Sequence, residues 1–326
     1  MTQHPFALAQ ALATGVLIAC AGCAAAQPAY PAKPIRFIVP YAPGGGTTPL
    51  ARLVGQRLSE NLGQQVIIDN RPGGNTVIGT ETLLRSAPDG YTIMLAADTH
   101  VLLPLLTTTP YDPIKDFTPV ATLSISERFL VLHPAVPANN LQEFIALAKA
   151  RPGQLNYGSA AAGGTQHLTG ELFNLMAGVK TQHVPYKGSG PALADLIGGQ
   201  IQFSFNNPLS TIPYVKSGKL KAIAISGETR LPALPQVPTF TQSGLPGFDI
   251  KTTYGVLAPA GMHKDVLDRL SAEFAKVLST PDTREKMVSQ GMDPHLTTPE
   301  QFAALLKAEM AKYARVIKAT NIKYEN

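Results

Sequence analysis

The residues with the most chemical promise lie in one short loop. Ala42-Pro43-Gly44-Gly45-Gly46-Thr47-Thr48 sets three glycines ahead of two threonines. Glycine leaves backbone N–H groups open to approach, and a helix starting behind them turns its positive dipole end toward the loop. Thr48 as N-cap, with Pro49 at the first helical position, predicts such a helix. The hydroxyls of Thr47 and Thr48 add two more donors. Together these groups make an anion site without a formal charge; a plain tight turn is the alternative.

Four further candidates carry related chemistry. Gly163-Gly164-Thr165 repeats the pattern of exposed N–H groups before a helix. Asn206 and Asn207 follow an alternating run and precede Pro208, so their amides either hold a polar ligand or begin a turn. Asp98 and Thr99 follow a strand end and could face the same cleft, or Asp98 could cap a helix. His100 and His167 could reach a cleft; a hydrogen-bonded structural role is the alternative for each.

Other chemistries are excluded by pattern. A dinucleotide fingerprint needs glycine where Pro49 stands, and no Gly-Lys-Ser/Thr triplet occurs. There is no Gly-x-Ser-x-Gly elbow and no His-Glu-x-x-His. Both cysteines, Cys20 and Cys23, lie near the N-terminus, which leaves the later chain without a thiol nucleophile or thiolate metal site. No metal site, cofactor or catalytic residue is expected.

The elements that must position these residues alternate. Ile35–Val39, Val66–Ile68 and Tyr91–Leu95 read as strands, with amphipathic helices between them. Phe129–Leu132, Leu155–Ser159, a strand ending at Tyr186, Ile201–Phe205 and Leu220–Ile225 continue the series. Leu231–Pro246 reads as a connector, and three helices follow it. Strand–helix–strand alternation predicts parallel sheets with helices on both faces. Val39-Pro40-Tyr41 and Val184-Pro185-Tyr186 each precede a glycine loop and a proline-started helix. Two such halves facing each other would aim two helix N-termini into one cleft.

The chain has 326 residues, 15% of them charged, with a formal net charge of +5 and mean hydropathy near zero. That length suits about two domains. The positive charge is dispersed, which argues against nucleic acid as a partner. Before Lys33 there is no Lys, Arg, Asp or Glu, and Phe6 to Cys23 is almost wholly apolar or small. With Ala24-Ala25-Ala26 behind it, this predicts a signal peptide over residues 1–26 and export to the periplasm. Leu17-Ile18-Ala19-Cys20 resembles a lipoprotein box, so lipid anchoring at Cys20 is the minor alternative.

Several segments, in order, resemble the Bug family, the extracytoplasmic solute receptors of tripartite tricarboxylate transporters. They are Tyr30-Pro31-Ala32-Lys33-Pro34-Ile35, Val39-Pro40-Tyr41-Ala42-Pro43-Gly44-Gly45, Asn70-Arg71-Pro72-Gly73, Ala87-Pro88-Asp89-Gly90-Tyr91, Pro152-Gly153-Gln154-Leu155-Asn156-Tyr157, His183-Val184-Pro185-Tyr186-Lys187-Gly188 and Leu234-Pro235-Gln236-Val237-Pro238-Thr239. The resemblance implies an α/β periplasmic binding protein of the Venus-flytrap type, two Rossmann-like lobes around a central cleft. Residues 33–128 plus 237–326 would form lobe I and 129–236 lobe II. It implies a monomer that binds a small carboxylate or dicarboxylate for membrane permease subunits, and no enzymatic activity. The family's carboxylate site carries over onto Tyr41, Gly45, Gly46, Thr47 and Thr48. It carries over more loosely onto Ser159, Gly164, Thr165, Asn206 and Asn207. Family members commonly have Asp where Thr48 stands, so a ligand without an amine is expected, including terephthalate-like aromatic acids. Closure of the lobes would hold the ligand through neutral donors rather than a buried arginine. A sensor co-receptor and a periplasmic enzyme acting on small organic acids are the alternatives.

Overall fold

The computed structural model describes residues 30–43, 47–320 and 322. The predicted signal peptide and Cys20 lie outside these residues, as do Gly45 and Gly46. The compact unit from Lys33 to Asn326 contains every strand and helix described below.

Strand β1 (Ile35–Val39) buries Phe37, Ile38 and Val39 completely. Helix α1 (Thr47–Leu62) covers it with Leu50, Val54 and Leu58, which recur at helical spacing. Gly63, at φ 65°, ends that helix in the left-handed conformation that glycine adopts without strain. Strand β2 (Val66–Asn70) pairs parallel with β1. A turn of 3-10 helix (Gly74–Thr76) leads to α2 (Val77–Leu84), and β3 (Thr92–Ala96) pairs parallel with the other side of β1.

After the short helix α3 (Thr99–Leu102) comes a ten-residue strand, β4 (Phe117–Ser126). The chain then leaves this sheet through Glu127 and Arg128 and begins a second sheet at β5 (Phe129–Leu132). Helix α4 (Leu141–Ala150) is capped by Asn140, whose side chain accepts the Glu143 N–H. There follow β6 (Asn156–Ser159), α5 (Thr165–Ala177), β7 (Gln182–Pro185), α6 (Ser189–Ile197), β8 (Phe203–Asn206), α7 (Pro208–Lys216) and β9 (Lys221–Ile225). The second sheet runs β7-β6-β8-β5-β9.

The chain returns to the first sheet as β10 (Thr252–Pro259), which inserts between β3 and β4 and runs antiparallel to both. Helices α8 (Lys264–Ser279) and α9 (Pro281–Ser289), the short edge strand β11 (Asp293–Pro294) and α10 (Pro299–Thr320) complete the fold. The first sheet is β11-β4-β10-β3-β1-β2. Two α/β lobes result, joined where the chain passes between sheets. Ser226 ties the two crossings together: its hydroxyl accepts the Arg128 N–H and donates to the Ile250 carbonyl.

The sheets are mixed rather than wholly parallel, because β5 and β10 run against their neighbours. Strands β4 and β10 and helix α7 were not anticipated. β4 hides Thr122, Ser124 and Ser126 among apolar residues, β10 is buried along its whole length, and α7 contains Pro208 and Pro213. None of these shows the clean periodicity that marks an element in sequence. Phe240, Leu245 and Phe248 pack into the core of the second sheet, beside Phe173 and Phe205. The segment just after residue 236 thus packs its apolar side chains against the second sheet.

Candidate functional site

A cavity of about 980 Å³ opens between the two sheets' βα loops. The first lobe supplies Pro40, Tyr41, Ala42 and Thr47, the strained turn Pro72–Thr76, and Thr99. The second supplies Ala160–Ala162, Gly164–Gln166, Pro185–Ser189, Asn206, Asn207 and Ser210. Arg128, at the crossing into the second sheet, and Thr252 and Tyr254 of β10 form its floor.

Four helices begin at this wall: α1 at Thr47, α5 at Thr165, α6 at Ser189 and α7 at Pro208. Their first-turn N–H groups lack intrahelical acceptors, and each brings about half a positive charge. The Val-Pro-Tyr echo is thus realised in space. Both copies reach the cavity, and a Cβ on Gly188 would sit 3.5 Å from that of Ala42 across it.

The side chains sort into donors already used and donors left over. Asn207 is spent on structure: its oxygen caps α7 by accepting the Leu209 N–H at 2.8 Å, and its nitrogen donates to Ser126 and Tyr254. Asn206 is different. Its oxygen accepts from Gln166 at 2.7 Å, whereas its buried Nδ2 has no partner among the described residues. A buried donor without a partner costs about 1–3 kcal/mol, which a bound acceptor would recover. Burial raises the hydroxyl pKa of Tyr41 and of Tyr254, so both phenols stay protonated at neutral pH. No Asp or Glu is among the described residues of the wall.

Of the sequence-predicted residues, Tyr41, Thr47, Thr99, Gly164, Thr165, Asn206 and Asn207 line the cavity. Thr48 does not. It lies within α1 rather than at its N-cap, with its hydroxyl accepting from Asn70 at 2.9 Å. Asp98 turns away, behind β10, where it accepts the Thr253 N–H and sits beside Glu309 and Tyr313. Ser159 is fully buried, donating to the Ala161 carbonyl and lying 2.6 Å from His183 Nε2. His167 stacks on His183 with ring centres 3.6 Å apart, and its Nδ1 accepts the Gly163 N–H. Burial lowers the His167 pKa to about 4; His183, buried beside it, falls to about 3. These rings lie under the loop over residues 160–164, and neither is among the residues lining the cavity. His100 is packed between Tyr111 and Phe117 and bonded to the Pro113 carbonyl.

Sequence reasoning missed Arg128, Gln166, Asn75 and Tyr254. Neutral donors alone were expected at the site, yet the lining includes Arg128, which is 7% exposed. Its position in the unassigned junction between β4 and β5 hid it. Asn75 gave a signal only through its neighbours, since Arg71-Pro72-Gly73-Gly74 marks a turn. Among the described residues, no group of three or more His, Cys, Asp or Glu side chains could hold a metal.

Two α/β lobes around a cavity rich in helix N-termini define the periplasmic binding protein class. The chain belongs to the tripartite tricarboxylate transporter receptor family, whose family model matches residues 50–322. The protein BugT of Bordetella pertussis is 36% identical over 314 residues, 95% of this chain and 96% of that protein. Rpa4515 of R. palustris, solved with adipate, shares 32% identity and superposes with a TM-score of 0.88, covering 90% of this chain and 99% of that one. MatC from Rhodopseudomonas palustris, solved with bound malate, shares 30% identity at a TM-score of 0.83, with 88% and 100% covered. These relatives are solute-binding receptors, not enzymes.

Proposed function

We propose that this protein is a periplasmic receptor that captures a small dicarboxylate in the interlobe cavity and presents it to the membrane subunits of a tripartite transporter. The observation that carries this reading is the wall itself: four helix N-termini, orphan donors and no described carboxylate. Such a surface attracts anions and repels nothing negative. The adipate and malate complexes of the related receptors support a diacid.

Binding follows from closure. Ligand bridging both lobes shifts an open–closed equilibrium by its extra affinity for the closed form. Charge-assisted hydrogen bonds contribute about 1.5–3 kcal/mol each, and a few suffice for micromolar affinity, about 8 kcal/mol. The cavity volume also admits a flat aromatic diacid, with Tyr41, Tyr186 and Tyr254 on the wall to contact its faces. Export follows the family's periplasmic setting and the apolar N-terminal segment. Among the described residues, no helix is long and apolar enough to cross a membrane.

Titration calorimetry of the purified protein against malate, adipate, citrate and terephthalate tests this. Saturable binding of at least one is expected. Failure of all four, with binding of an uncharged or cationic solute instead, would overturn it.

A further inference from the structure

Arg128 stands apart from the other wall residues. It is the last residue before β5, at the point where the chain crosses from the first lobe to the second. The side chain is buried at the cavity floor, with Nη2 bonded to the Thr252 hydroxyl at 2.5 Å and Nε without any partner among the described residues. The described ion pairs do not include it. Asp98 acts on it only through space, from behind β10, and Asp98 is itself committed to the Thr253 N–H. A guanidinium is always charged and offers five donors in a planar fork. Its one described side-chain hydrogen bond is to a neutral hydroxyl, and its Nε donor is left over. A carboxylate satisfies such a fork with two parallel hydrogen bonds.

The helix N-termini already provide for one acid group. The α1 and α6 starts, at Thr47 and Ser189, line the same cavity, and the loops ahead of them come close at Ala42 and Gly188. Arg128 lies instead beside the start of β10, bonded to Thr252, with Tyr254 also on the lining. The cavity therefore has two kinds of anion-attracting surface, one built from dipoles and one from a formal charge.

We propose that Arg128 forms a second anion subsite at the cavity floor and makes this receptor select small diacids over the matching monoacids. The inference rests on the receptor reading above and deepens it. A diacid closes both subsites, whereas a monoacid leaves the buried guanidinium unpaired. Rejection of a ligand that strands a buried polar group is steeper than rejection by shape alone.

The test compares matched pairs, adipate with hexanoate and terephthalate with benzoate, by calorimetry on the wild type, Arg128→Met and Arg128→Lys. The wild type should prefer each diacid that it binds. Arg128→Met should weaken that diacid by roughly 10- to 100-fold while changing its monoacid less than about threefold, so the preference collapses. Arg128→Lys should recover part of the loss.

Equal loss of diacid and monoacid in a folded variant would overturn the second subsite, as would unchanged diacid affinity; both leave the receptor reading standing. A wild type that binds no carboxylate overturns that reading and this inference with it. A folded Arg128→Lys as weak as Arg128→Met would show that charge is not what the floor contributes, and would also overturn the proposal.

Discussion

Asn75 shows how much can depend on one side chain. It and Thr76 both have positive φ, at 50° and 82°, a region that costs non-glycine residues free energy. The strained turn aims the Asn75 amide across the cavity mouth, where Nδ2 donates to the Ala162 carbonyl of the other lobe at 3.0 Å. That bond exists only when the lobes are together. Asn75→Gly keeps the backbone shape and removes the bond, so ligand affinity should fall about three- to tenfold, from the loss of about 0.5–1.5 kcal/mol in the closed form. Asn75→Ala should also lose stability in thermal melts, because alanine lacks the local hydrogen bonding that eases the left-handed region. Wild-type affinity in Asn75→Gly would show that the latch contributes nothing. Tyr41, Thr47, Thr165 and Asn206 were legible from sequence because glycine loops and strand ends announce themselves. Arg128 and Asn75 were not, since a side chain's direction across a cleft depends on residues far away in sequence.

Helix α10 packs on strand β10 in the first lobe. Gly255 on β10 has no room for a Cβ: the Phe302 ring of α10 would lie 2.2 Å from it. Gly255→Ala should cost about 1–3 kcal/mol, measured by chemical denaturation, unless Phe302 is trimmed at the same time. The same interface buries Glu309 beside Asp98. Burial, then the neighbouring Asp98 charge, raises the Glu309 pKa to about 8. The folded protein thus holds a proton that the unfolded chain releases near its ordinary carboxylate value. Stability from this group is complete at acid pH, and declines as pH rises through about 8, at up to about 1.4 kcal/mol per pH unit. Glu309→Gln should flatten that decline between pH 6.5 and 8.5 in denaturation curves; an unaltered slope would contradict it. Sequence showed α10 clearly but not β10, whose uninterrupted burial and central glycine erase the alternation that marks a strand.

At the level of the full molecule, two sheets are joined where the chain leaves the first at Glu127–Arg128 and re-enters it at Thr252, and the capture reading requires the lobes to move about these two passages. Alternation in the sequence conveyed two α/β halves, but the antiparallel pair β4 and β10 that binds the returning chain into the first sheet stayed hidden. Closure should therefore be visible as compaction. In small-angle scattering, the radius of gyration of the ligand-free protein should fall as a diacid is titrated in. The most direct test is a crystal structure of the protein with adipate or terephthalate, whichever binds tighter. The acid should lie between Thr47 and Ser189, its far end reaching the Arg128 guanidinium and its oxygens within hydrogen-bond distance of Asn206 Nδ2. An acid bound outside this cavity, or inside it but away from the helix starts, would contradict the proposed site.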